Sequence, residues 1–97
     1  MRIKWSEYAR YQYSEQIRYI ALRNPDAAED IEGTIEKTIS NFLVFPYIGR
    51  KGRYPDTFEL LVKKTPLIIV YEIHEEVITI LNILHAAQPL PINHQSI

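Results

Sequence analysis

"PYIGRKGRYPDTFELLV", residues 46–62, separates a half of the chain with helical periodicity from a half with the periodicity of strands. Before it, apolar residues recur every three or four positions; after Thr57 they form short, β-branched runs divided by turn residues. The first pattern puts side chains on one stripe of a helix, the second suits pleated strands, so this stretch marks where the backbone changes type. It also holds the densest positive charge, Arg50, Lys51 and Arg53 within four positions, interleaved with Gly49 and Gly52. Three readings are open for it: a backbone cradle for phosphate, a contact for nucleic acid or protein, or a crossing from helix to strand. In the last, the glycines supply unusual backbone angles and the arginines stay hydrated.

Upstream, Arg2-Ile3-Lys4-Trp5 alternates polar and apolar residues as a short strand does. Ser6 is placed to cap a helix by accepting a hydrogen bond from an orphan amide of the first turn. Ala9, Tyr13, Ile17, Ile20 and Ala21 form the apolar stripe of that helix. Asn24-Pro25 ends it and starts a second, because proline disfavours helix in the residue before it yet fits the first helical position. Ala28, Ile31, Ile35, Ile39 and Phe42 continue as a second stripe, with Glu29, Glu32, Glu36 and Lys37 facing water. So short a connection predicts an antiparallel helical hairpin, closed at Phe45-Pro46.

Downstream, Phe58–Val62, Leu67–Ile73 and Val77–Leu84 read as strands, with turns at Lys64-Thr65-Pro66 and His74-Glu75-Glu76. The expected architecture is α+β in two layers: an N-terminal strand, the helical hairpin, and a C-terminal antiparallel β-meander packed on the hairpin. Ninety-seven residues make one domain, assigned to 1–91, with 92–97 as a flexible tail.

Composition narrows the chemistry. The net charge of −1 gives no global positive field for nucleic acid, so any such contact is local. No cysteine is present, which removes disulfides and thiolate metal sites and fits a reducing cytoplasm. The N-terminal residues lack the apolar run of a signal peptide, and the longest apolar run, Leu67 to Tyr71, is too short to span a bilayer. The expected location is the cytoplasm, with no membrane partner.

Gly-x-x-Gly at 49–52 lacks the Lys-Ser/Thr and the entering helix of a nucleotide-binding loop. His74, His85 and His94 have no zinc-ligand spacing, so no metal and no cofactor is expected. His85, at a strand end, is a candidate general acid or base as well as a hydrogen-bonding residue that fixes the strand. Tyr71, inside the central apolar strand, reads as a core residue with its hydroxyl at the rim. Glu59 lies opposite Phe58 and Leu60 and reads as the solvent-facing member of an alternating strand, with pairing to the nearby arginines as the second reading. Tyr47, Tyr54 and Tyr71 beside basic residues also suit base stacking.

Taken in order, "NPDAAEDIEGTIEKTISNFLVFPYIGRKGRYPDTFELLV", "PLIIVYEI" and "VITILNILHAAQPLP" resemble the RelE/ParE toxin superfamily in its ParE-like branch, a group that includes plasmid stabilisation proteins. The resemblance covers nearly all of residues 1–91. It implies the toxin of a type II toxin–antitoxin module: growth inhibition by binding DNA gyrase, and neutralisation by a cognate antitoxin that wraps the toxin. The competing implication is a RelE-like, ribosome-dependent mRNA endoribonuclease. A third is a degenerate member that binds antitoxin without toxicity. Candidate target-binding residues are Arg50, Lys51, Arg53, Tyr54, His85 and Gln88. Candidate antitoxin-binding residues are Ile17, Ile20, Ile35, Phe42 and Phe58.

If the chain cuts RNA, the catalytic candidates are His85, Tyr71, Arg50 and Arg53. Against cutting, Phe58 stands where that family commonly has arginine, Glu72 follows Val70-Tyr71 where arginine is common, and Ala86-Ala87 replaces Gly-Arg. Electrostatic groups are commonly the largest catalytic contribution, and loss of one such donor costs about 10²–10³ in rate. The resemblance therefore implies a binder rather than an enzyme.

Overall fold

The computed structural model describes residues 1–86. The chain runs β1 (Arg2–Trp5), α1 (Glu7–Arg23), α2 (Pro25–Asn41), β2 (Arg50–Lys51), β3 (Phe58–Leu61), β4 (Leu67–His74) and β5 (Val77–His85). Ser6 caps α1, its Oγ accepting from the Ala9 N–H at 3.0 Å. Asn24 serves both helices: its N–H donates to Ile20 O at 2.8 Å, and its Oδ1 accepts from the Ala27 N–H at 3.1 Å. With Pro25 at the first helical position, one residue closes α1 and opens α2.

The five strands form one sheet in the order β1-β5-β4-β3-β2. The meander β3-β4-β5 is antiparallel, as its tight turns require. The N-terminal strand joins it in parallel, Arg2 opposite Val77 and Trp5 opposite Ile80, so the sheet is mixed. The two-residue β2, which has no readable period, extends the other edge against β3. Strand ends differ from the sequence expectation by one residue each: β3 stops at Leu61, β4 reaches His74 and β5 reaches His85.

The layers meet where Ala9, Ile35, Ile39 and Phe42 from the helices pack on Leu67, Ile69, Tyr71, Ile78 and Ile80 from the sheet. Tyr71 pairs with Ile80 and Val70 with Asn82, so Leu81 is an extra residue and the strands bulge there. Beyond that bulge β1 has ended, and α1 takes over the edge of β5. Ser6 N–H donates to Ile80 O at 2.9 Å, Ser6 Oγ–H to Leu81 O at 3.2 Å, and Ile83 N–H to Gln12 Oε1 at 2.9 Å. No helix of the described residues is long and apolar enough to cross a membrane.

Candidate functional site

The crossing at residues 46–62 folds back on itself and is tied to the core by one phenol. Tyr71, fully buried, donates its O–H to Pro46 O at 2.9 Å and accepts the Gly49 N–H at 2.9 Å. Burial raises its pKa above 10.0, and the Gly49 N–H opposes that shift. None of the glycines has a positive φ, which corrects the expectation of unusual angles; left-handed backbone falls instead at Asp56, Lys64, Glu75 and Glu76. What Gly49 provides is close approach. A Cβ there would lie 2.8 Å from Tyr71 Oη and 3.0 Å from Glu59 O. At Gly52 a Cβ would collide with Thr57 Oγ1 and sit 3.1 Å from the Thr57 carbonyl carbon.

The next tie is electrostatic. Glu59 is 2% exposed, which corrects its reading as a solvent-facing residue. Its Oε2 accepts the Arg53 backbone N–H at 2.8 Å and Nε–H at 2.7 Å, and its Oε1 accepts Nη2–H at 2.9 Å. The Arg50 Nη2 lies 3.5 Å from Oε1 on the solvent side. The alternation was sound, since Glu59 does point away from Phe58 and Leu60. The face it points to is covered because Arg53 folds back over it. The Arg53 hydrogen bond holds the Glu59 carboxyl below its ordinary 4.5 despite burial, and raises the Arg53 guanidinium in turn. Bidentate carboxylate–guanidinium geometry of this kind is strong and directional. Three of the loop's amides, those of both glycines included, are thereby spent: Gly49 N–H on Tyr71, Gly52 N–H on Thr57 O at 2.8 Å, Arg53 N–H on Glu59. A phosphate cradle would need those donors free.

Four aromatic rings run through the same region. Phe42 stacks on Tyr71 with centroids 4.2 Å apart, Phe58 stacks on Tyr71 at 5.4 Å, and Tyr47 meets Phe58 edge-on at 5.5 Å. Phe58, at the position where the resemblance leads one to expect arginine, is therefore a member of an apolar column. Of the residues assigned to an antitoxin, Ile35 and Phe42 are core, 1% and 0% exposed. Ile17, Ile20 and Phe58 are half-buried and reach the surface. The stripe was legible, but a stripe does not separate a core face from a partner face.

A cleft of about 730 Å³ opens between α1 and the end of β5. Tyr8, Tyr11 and Tyr19 line it from the helix, His85 and Leu84 from the strand, and Arg53 from the crossing. His85 and Arg53 thus share a cavity, whereas Tyr71 is sealed in the core and Lys51 lies exposed on β2. Tyr54 is half-buried and its carbonyl accepts the Thr57 Oγ1–H at 2.7 Å. Gln88 lies outside the described residues. Sequence reasoning missed the exposed tyrosines of α1, which sit off the apolar stripe. It also missed the outward-facing residues at 43–48, where the run "LVFPYI" was a signal, since it continues apolar after the helical period has ended.

Residues 3–90 match the family described as ParE toxin of type II toxin-antitoxin system, parDE. A curated protein of Sinorhizobium fredii (strain NBRC 101917 / NGR234), named "Putative toxin Y4kP", is 36% identical over 90 residues, covering 93% of each chain. A solved structure described as "Chromosomal ParDE TA system from P. aeruginosa" superposes with a TM-score of 0.78 at 18% identity, covering 88% of this chain and 95% of that one. That last likeness concerns the fold, and it agrees with the two helices and five-stranded sheet. On the family match and the relative together, the chain belongs to the ParE toxin family of type II toxin–antitoxin systems.

Proposed function

We propose that this toxin arrests bacterial growth by gripping DNA gyrase rather than by cutting RNA, and that a cognate antitoxin neutralises it. The observation that carries this reading is the commitment of Arg53 and Tyr71 to the fold. Arg53 makes three hydrogen bonds to the buried Glu59, and the Tyr71 hydroxyl is occupied both as donor and as acceptor. A nuclease needs cations and an acid or base free to meet the scissile phosphate. The target surface in this reading comprises Arg50, Lys51, Tyr54, His85 and Gln88, with Arg53 offering only the part-exposed edge left by its bond to Glu59. The antitoxin covers Ile17, Ile20 and Phe58, with Ile35 and Phe42 supporting that surface from beneath, and binds mainly by apolar burial.

The test is expression of the chain in bacteria, followed by a supercoiling assay with purified gyrase. Growth arrest, inhibited supercoiling and relief of both by the product of the adjacent reading frame are expected. Arrest with unaffected gyrase overturns the target. Normal growth at confirmed soluble expression instead supports a degenerate member that binds antitoxin without toxicity. One observation favours the ribosome-dependent mRNA endonuclease as runner-up: His85 and Arg53 line the same cleft. That reading requires cleaved ribosome-bound transcripts, abolished by His85→Ala.

A further inference from the structure

The segment between α2 and β2 displays an apolar surface. Leu43, Val44, Phe45, Tyr47 and Ile48 are each 49–67% exposed, within six consecutive positions. Together they present on the order of several hundred Å² of apolar surface, the size at which a patch marks an interaction site. The backbone beneath them is ordered. Leu43 N–H donates to Ser40 O at 3.1 Å, Val44 and Phe45 N–H to Asn41 O at 3.0 and 2.8 Å, and Ile48 N–H to Phe45 O at 3.2 Å. The side chains are therefore held outward on hydrogen-bonded turns, and docking a partner there costs little ordering entropy.

Charge selects the partner. Arg50 and Lys51, both exposed, follow Ile48 directly, and Lys51 is brought beside the patch because its cross-strand partner Phe58 is also in ring contact with Tyr47. Residues 43–51 carry two cations and no carboxylate, in a chain of net charge −1. A symmetric dimer through this patch would use the same surface on both copies and set Arg50 and Lys51 against their own counterparts, an unfavourable pairing. Nucleic acid would match the cations but leave five apolar side chains without a partner. We infer that residues 43–51 form a docking surface for an acidic, amphipathic segment of a partner protein, with Val44 and Phe45 as apolar anchors and Arg50 and Lys51 as the selective charges. The inference is independent of gyrase as target, since it concerns a surface and not growth arrest.

The test is selection of random phage-displayed peptides on the full chain, with counter-selection on a Val44→Ser/Phe45→Ser double variant. Both substitutions are at exposed positions, and amide spectra verify that the variant keeps its fold. Peptides that depend on the two side chains are expected to combine spaced apolar residues with net negative charge. They are expected to shift the amide resonances of residues 43–51 and to bind Lys51→Glu about tenfold more weakly. Recovery of basic or neutral patch-dependent peptides, or of none, overturns the inference. So does self-association lost in the double variant, or a shift of residues 43–51 by a uridine oligonucleotide.

Discussion

Residues 43–62 divide into two parts of opposite character. The inner part, from Gly49 to Glu59, ties polar groups into the fold: the buried Glu59 carboxylate, the part-exposed Arg53 guanidinium that covers it, and the buried phenol reached from β4. The outer part, Leu43 to Ile48, exposes large apolar side chains to water. Ordinarily polar groups are outside and apolar groups inside. The polar set is structural, fixing the shape of the crossing, while the apolar set stays exposed.

Four substitutions separate the two parts, taken in decreasing order of effect. Phe42→Ala removes the ring stacked on Tyr71 in the core and is expected to cost about 3–5 kcal/mol in denaturant unfolding. Glu59→Gln leaves Arg53 without its anion and is expected to cost about 2–3 kcal/mol at neutral pH. Its pH dependence has a fixed sign. The Glu59 pKa is depressed in the fold, so its contribution is full above about pH 4.5 and is lost as pH falls through the depressed value. Acid titration of the Glu59→Gln protein should therefore lack that decline.

Tyr71→Phe removes the hydroxyl that joins Pro46 and Gly49 and is expected to cost about 1–3 kcal/mol. In the binding account it leaves growth arrest in place, whereas a catalytic Tyr71 would abolish it. Val44→Ser with Phe45→Ser sits at the other extreme. Each exposed change is expected to alter stability by no more than about 0.5 kcal/mol, while partner affinity falls at least tenfold. Loss of stability comparable to that of Glu59→Gln would show that the outer part is structural too.

Much of this fold was legible in residue patterns because the deciding signals are local. Ser6, Asn24 and Pro25 mark helix ends through bonds within their own turns, and the β-branched runs after Thr57 announce the meander. The pairing of β1 with β5 was not legible, since those partners are far apart in sequence and only their geometry defines the register. Glu59 shows a subtler limit. Period-two alternation assigned its face, but whether water occupies that face depends on Arg53, six residues earlier, folding back across it. The residues of the outer patch were readable as apolar, yet no periodicity says whether an apolar residue is covered.

The proposal that this toxin acts by contact and not by cleavage rests on Arg53 and Tyr71 being held by the fold. The most direct measurement is the mapping of transcript 5′ ends in cells arrested by the wild-type chain. The same ends as in untreated cells are expected while growth has stopped. New ends within translated codons, absent when His85→Ala is expressed to the same level, would contradict it.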